Sequence, residues 1–323
     1  DEHEAHIDSV VEQALERAGL SLSQVDAIGV TVGPGLEICL RVGCRKAQEL
    51  ALQYQKPFVG IHHLEAHILM ARLPFEKQHL VANQQGDSDR VMPFCSVEFP
   101  FLALLVSGGH CLLLKCLGIG QYTVLGGTID DSLGEAFDKT ARMLGLPVGG
   151  GGGPHVERLA RQGDPTAVAL PVPLQKRKHD CDFSYAGLKT AVRMAADKLR
   201  EERGLESIQD LPEQDKANIA ASFQNVAIKH IEQRLARAMK LCNEDEINTL
   251  ALVGGVAANQ ELRSRLEKIC DEGNWKMIVP PPRFCTDQGT MSAWAAIERL
   301  AVRSSDVAET QEVYARYPFA VTE

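Results

Sequence analysis

Pro57-Phe-Val-Gly-Ile-His-His-Leu-Glu-Ala-His-Ile-Leu-Met-Ala71 sets three histidines and a carboxylate directly behind an apolar run. Phe58 to Ile61 reads as a short buried strand, and Leu64, Ala66, Ile68, Leu69 and Ala71 favour a helix after it. On a helix, residues four apart share a face, so His63 and His67 stand together at the spacing by which two imidazoles grip one metal ion. In the zinc-protease pattern His-Glu-x-x-His the glutamate adjoins the first histidine and serves as general base. Glu65 sits two residues on, about 200° around the helix, and points away from the pair. The residues alone also allow a plainer reading, in which the histidines cap and solvate a surface helix and His62 at most meets the main chain or a ligand's surroundings.

Upstream of this stretch, Ala27 to Val32 is an unbroken apolar run that ends in Gly33-Pro-Gly35, and Leu40 to Tyr54 reads as a helix. Strand, glycine loop, helix and the Phe58 strand make a βαβ unit, which implies a parallel strand pair. Before it, Ile7, Val10, Val11, Ala14, Leu15 and Ala18 follow helical spacing, and Gly19 can close that helix.

Downstream, residues 74–98 are mixed and polar, and they read as a long mobile loop. Phe101 to Val106, Cys111 to Leu117 and Tyr122 to Leu125 read as three strands parted by the turn signals Ser107-Gly-Gly109 and Gly118-Ile-Gly120. Leu133 to Leu144 is helical with Asp138 in its middle, five glycines follow at Gly149 to Gly153, and helical periodicity dominates from Asp182 to Cys242. Ile247 to Val253 is a strand ending in Gly254-Gly255, with helix Asn259 to Ile269, strand Lys276 to Val279 and helix Met291 to Val302 after it. The expected organisation is α/β. Residues 1–100 form an N-terminal lobe, 101–287 a second lobe with a helical insert at about 150–245, and 288–323 a C-terminal helix and tail that pack back on the first lobe.

With 323 residues, 45% hydrophobic and 24% charged, the chain has the composition of a globular protein with a large core. Its net charge of -9 means that a nucleic acid would be held only by a local basic patch. The nine cysteines include no C-x-x-C pair, which argues for a reducing compartment and against a disulfide framework or structural zinc. No apolar run approaches the roughly 20 residues that cross a bilayer, so no membrane is expected. The chain starts at Asp1, without methionine, inside a helical pattern, and an upstream segment carrying any targeting peptide is therefore expected.

Strand ends run into glycines at Gly33 and Gly35, Gly108 and Gly109, and Gly254 and Gly255. Such loops turn backbone amides toward an anion, and the helix after Gly255 would aim its positive end the same way. Neither G-x-x-x-x-G-K-[ST] nor G-x-G-x-x-G occurs. Asp287, rigidly placed after Pro280-Pro-Pro282, is the candidate third metal ligand, with an N-cap of the last helix as the alternative. Asp138 is either half of an exposed ion pair or an acceptor for a ligand hydroxyl.

Six ordered motifs together resemble one family. His62-His-Leu-Glu-Ala-His67, Leu105-Val-Ser-Gly-Gly-His110, Glu135-Ala-Phe-Asp-Lys139, Phe183-Ser-Tyr-Ala-Gly-Leu-Lys189, Gly254-Gly-Val-Ala-Ala-Asn259 and Cys285-Thr-Asp287 look like the universal tRNA threonylcarbamoyladenosine transferases, formerly called O-sialoglycoprotein endopeptidases. Pro280-Pro-Pro-Arg283, the Ala-Trp after Met291 and Phe99-Pro-Phe101 look most like the mitochondrial branch. The resemblance implies the two-lobed actin, hexokinase and Hsp70 fold, with a nucleotide between the lobes and mitochondrial (matrix) localisation, the cytoplasm being the alternative. It implies that His63, His67 and Asp287 hold one divalent ion per subunit, zinc or iron before manganese or magnesium. It further implies that Leu105, Val106, Ser107, Gly108, Gly109, Asp138, Gly153 and Asn259 hold a threonylcarbamoyl adenylate made by a separate synthase.

In that family the exocyclic amine of the adenosine beside the anticodon, in tRNAs reading codons that start with A, attacks the carbamoyl carbonyl and AMP leaves. No side-chain nucleophile is needed, and none of the cysteines adjoins an obvious activating base. The tRNA is the implied partner, a homodimer is one implied assembly, and Lys176, Arg177 and Lys178 form the densest basic cluster for an RNA backbone. Three departures stand out. The family's opening strand and Thr-Ser-Cys-type phosphate loop do not appear, Glu37 and Ile38 replace small residues after Gly35, and the glycine run before Pro154 is longer than usual. A metal-dependent glycoprotein endopeptidase, an ATPase or sugar kinase of the same fold, and a non-enzymatic RNA-binding protein are the competing readings.

Overall fold

The computed structural model describes residues 2–76, 94–95, 97–243 and 245–319. In chain order its elements are α1 (Glu2–Ala18), β1 (Ile28–Gly33), α2 (Glu37–Gln53), β2 (Phe58–His62), α3 (His63–Leu69), β3 (Phe75–Glu76), β4 (Phe94–Cys95), β5 (Phe101–Val106), β6 (Cys111–Gly118) and β7 (Gln121–Gly127). There follow α4 (Leu133–Met143), α5 (Gly153–Ala160), α6 (Ala186–Glu202), α7 (Glu213–Asn243), β8 (Thr249–Val253), α8 (Gln260–Glu272), β9 (Lys276–Ile278) and α9 (Gly289–Ala301). They fall into two compact units. One comprises Asp1–Ser96, Gly118–Tyr122 and Asp287–Thr322, the other Val97–Leu117 and Thr123–Thr286.

The first unit is built on the βαβ motif. β1 and β2 pair in parallel, with Ile28 opposite Phe58 and Thr31 opposite Ile61. Every residue of β2 is buried, as befits a parallel strand covered on both faces. Helix α2 packs on β1, and α9 packs on β1, β2 and α3. The carboxylate of Asp306 accepts from the Gly60 amide at 2.8 Å and ties the segment after α9 to β2. Two turns of α3 are thereby wedged into a core, and Leu64, Ala66, Ile68 and Leu69 are almost wholly buried.

The second unit holds a five-stranded sheet of order β7-β6-β5-β8-β9. β5 runs antiparallel to β6, with Phe101 opposite Cys116, and parallel to β8, with Leu102 opposite Leu250. Both β5 and most of β8 are buried, which fits their continuous apolar runs. Helix α7 supplies Ile219, Phe223, Ile231 and Leu235 to this core, and the Phe223 ring meets Phe137 of α4 edge to face at 5.0 Å.

Several boundaries differ from the sequence reading, and four of the differences have a local reason. Helix α2 begins at Glu37 rather than Leu40, because Glu37 stabilises the first turn and pairs with Arg41 at 2.7 Å. β8 begins at Thr249 rather than Ile247, after Glu246 has taken a φ of 58°. Residues 161–185 carry no helix, and Gly163, Pro165, Pro171 and Pro173 account for that. The ends of the expected loop at 74–98 are paired instead, β3 antiparallel to β4, while residues 77–93 lie outside the described residues.

Candidate metal centre and glycine cavity

The first functional group lies within the first unit. His63 and His67 project from α3 one turn apart, and their rings meet edge to face at 4.8 Å. Asp287, just before α9, brings Oδ2 to 3.6 Å from His63 Nε2 and Oδ1 to 3.0 Å from His67 Nε2. One ligand atom from each residue lies within 4.8 Å of the others. The His67 Nε2 atom is buried and makes no aligned hydrogen bond, despite its closeness to the carboxylate. A buried imidazole nitrogen facing a carboxylate without donor geometry fits a position between them for a cation. The N-cap reading of Asp287 does not hold, since Gln288 occupies that position.

Neighbouring residues take structural roles. His62 caps α3, its Nδ1 accepting from Leu64 N at 3.2 Å, while its Nε2 lies 2.7 Å from the Tyr317 carbonyl oxygen. Glu65 does point away from the pair. Its Oε1 accepts from the Gly120 amide at 3.0 Å and from the Tyr122 hydroxyl at 2.8 Å, and Arg299 stands 3.9 Å from its other oxygen. A carboxylate held in this way is a buried anchor rather than a base beside a metal. Glu65→Gln is therefore expected to leave metal content unchanged while costing about 1–3 kcal/mol of stability. Metal analysis beside a denaturant titration checks this, and loss of the ion with unchanged stability would contradict it.

The second unit carries a cavity of about 420 Å³ lined by Gly108, Asp138, Gly151, Gly153, Gly255 and Asn259, with Phe137, Glu157 and Thr286 among its other walls. The turn after β5 is fixed by its own bonds. Ser107 N donates to the His110 carbonyl, and Ser107 Oγ accepts from His110 N at 3.0 Å. A Cβ on Gly108, Gly109 or Gly255 would meet nothing within 4 Å, so the space beside the backbone at these glycines is open. Leu105 and Val106 are wholly buried in the sheet and can offer only main-chain atoms.

Asp138 and Asn259 are engaged in ways the sequence did not indicate. Asp138 Oδ1 accepts from the Gly152 amide at 2.5 Å, which folds the glycine run over α4 and leaves Oδ2 for a ligand hydroxyl. Lys139 turns instead to Glu135 at 2.6 Å and Asp131 at 3.0 Å, so it does not pair with Asp138. Asn259 is the N-cap of α8, accepting from Leu262 N at 2.8 Å, and its amide donates to Gln224 at 3.0 Å. One amide proton and one oxygen lone pair of its side chain thus serve the fold, and the residue still lines the cavity. Glu157 escaped the sequence reading. It follows Gly153 by one helical turn, lines the cavity and accepts from the Gln260 amide at 3.1 Å. The basic cluster is exposed, but Arg177 is committed to Asp180 at 2.7 Å and to Asp182 at 3.0 Å.

Residues 1–294 match the family model TsaD, described as tRNA N6-adenosine threonylcarbamoyltransferase. A protein of Arabidopsis thaliana named probable tRNA N6-adenosine threonylcarbamoyltransferase, mitochondrial, is 44% identical over 94% of this chain. The chain spans 60% of that relative's length. A Rhizobium leguminosarum protein named tRNA N6-adenosine threonylcarbamoyltransferase is 43% identical over 93% of this chain and 74% of its own length. Among solved structures, T. kodakarensis HypF superposes with a TM-score of 0.53 at 16% identity, over 90% of this chain and 42% of that one; the likeness is one of α/β fold alone. The chain belongs to the tRNA N6-adenosine threonylcarbamoyltransferase family, a family of transferases.

Proposed function

We propose that this chain transfers the threonylcarbamoyl group from threonylcarbamoyl-AMP to the exocyclic amine of the adenosine beside the anticodon, in tRNAs reading codons that start with A. The observation that carries the reading is the convergence of His63, His67 and Asp287, drawn from distant parts of the sequence, within a chain of this family. Two imidazoles and a carboxylate suit zinc or iron first, and manganese or magnesium as alternatives, one ion per chain. Such an ion, when bound, screens phosphate charge and favours departure of the phosphate oxygen.

The residues of the chain then need only position the reactants, because the adenylate already carries a good leaving group. The uncrowded glycine backbone at Gly108, Gly109 and Gly255 suits the anionic adenylate, and Asp138 Oδ2 suits a ribose or threonyl hydroxyl. The amine nitrogen bonds to the carbamoyl carbon, the bond from that carbon to the phosphate oxygen breaks, and AMP leaves with the electron pair as the amine loses a proton. The buried bonds of Glu65 disfavour the endopeptidase reading, which lacks its base. The mitochondrial name of the plant relative supports placement in the matrix. The partners are tRNA and a separate synthase that supplies the adenylate, with a homodimer as the assembly. None of the described helices is long and apolar enough to cross a membrane.

Incubation with threonylcarbamoyl-AMP and tRNA lacking the modification should yield AMP and modified adenosine in equal amounts. AMP without modified tRNA, or cleavage of a glycoprotein substrate, would overturn the reading. Asp138→Asn keeps an acceptor for the Gly152 amide but removes the charge, so adenylate affinity should fall about tenfold or more. Unchanged affinity in calorimetry would remove Asp138 from that role.

A further inference from the structure

Arg234 is completely buried on α7, where an arginine is normally paired with a carboxylate. Here Asp180 Oδ1 stands 3.6 Å away, and the guanidinium is spent on main-chain oxygens. Its Nη1 donates to the carbonyls of Arg177 at 2.7 Å and Asp180 at 3.2 Å, and its Nη2 to that of Leu174 at 2.8 Å. Arg237 donates to the same Arg177 and Asp180 carbonyls at 2.8 and 3.0 Å. Its Nε has no hydrogen-bond partner in the case of Arg234, so desolvating this charge is costly.

What the two arginines hold is the 174–180 loop. It begins with Leu174 at a φ of 49°, in the left-handed region that non-glycine residues avoid. Arg177 closes the loop on Asp180 and Asp182. Lys176 and Lys178 are exposed and take no partner among the described residues. Lys176, Arg177, Lys178, Arg234 and Arg237 thus gather about this loop, where Asp180 and Asp182 are the carboxylates that pair with them, in a chain whose net charge is -9. A cation-lined cavity elsewhere in the second unit is closer to balance. It measures about 610 Å³ and is lined by Lys139, Arg142, Lys189, Arg193 and Arg200, of which all but Arg142 already meet Asp131, Glu135 or Asp197.

We propose that the 174–180 loop is a preformed platform for an RNA phosphate backbone, with Lys176 and Lys178 as the phosphate contacts and Arg234 and Arg237 as the residues that position it. The inference rests on the tRNA reading above and narrows it, because Arg177 serves the loop rather than the ligand. A loop shaped before docking need not be ordered by it, which removes an entropic cost of binding. Each lysine that neutralises a phosphate adds to the salt dependence of affinity.

The test is the affinity of the full chain for unmodified tRNA as a function of salt, beside its affinity for threonylcarbamoyl-AMP. The double variant Lys176→Ala, Lys178→Ala touches no buried group. It should weaken tRNA binding by about tenfold or more and lower the slope of log affinity against log salt by roughly 1.4–1.8, with adenylate affinity unchanged. Arg234→Lys keeps the charge but cannot bridge three carbonyls, and it should lower the same slope while adenylate affinity stays. A purely structural arginine would leave the slope alone. An unchanged slope in the double variant, with salt-dependent binding in the parent, overturns the platform and leaves the tRNA reading standing. A parent that binds the adenylate but no tRNA overturns both.

Discussion

Replacing His67 by alanine is expected to strip the ion from the chain and to slow threonylcarbamoyl transfer by about 10³-fold or more, equivalent to roughly 4 kcal/mol of barrier. His67 is the buried member of the group, at 2% side-chain exposure, whereas His63 and Asp287 stand at 22% and 72%. Without it, two solvent-accessible ligands remain, and competition from water releases the ion. The helix should survive, since the apolar residues Leu64, Ala66, Ile68 and Leu69 anchor α3. Metal analysis after dialysis, a circular-dichroism melt and a transfer assay read the three consequences separately. A folded His67→Ala chain that retains the ion and its rate would contradict this assignment.

The second large effect separates two adjacent glycines. Gly254 has a φ of 94°, and a Cβ built on it would stand 2.4 Å from the Val106 carbonyl oxygen. Gly254→Ala therefore combines left-handed strain with backbone overlap at the ends of β5 and β8, and should cost roughly 3 kcal/mol or more. Gly255→Ala meets nothing within 4 Å and should fold normally, yet its methyl group would project where Gly255 lines the cavity, weakening adenylate binding. Denaturant titration and calorimetry on the pair check this crossed pattern. Equal stability of the two variants would contradict it.

Much of this site could be read before the fold was known, because its signals are local. The spacing of His63 and His67 needs only a helix, and the misplacement of Glu65 follows from the same period. The βαβ unit was legible from apolar runs of strand length flanking a helical stretch. What escaped the sequence depends on groups far apart in it. Asn259 carries a cap motif and a ligand motif alike, and only the structure shows that its side chain caps α8 and bonds Gln224 while lining the cavity. Gly254 and Gly255 look identical in sequence, but one serves close strand packing and the other an open wall. Arg177 reads as a free cation until Asp180, Asp182 and the α7 arginines are placed around it.

X-ray absorption at the metal edge, recorded on the loaded chain with and without threonylcarbamoyl-AMP, tests most directly whether this group serves the transfer. The predicted spectrum shows two imidazole nitrogens and carboxylate oxygen at roughly 2.0–2.2 Å for zinc, with phosphorus scattering added when the adenylate is present. Sulfur in the first shell, or a spectrum unaltered by saturating adenylate, would contradict a metal held by His63, His67 and Asp287 that receives the phosphate.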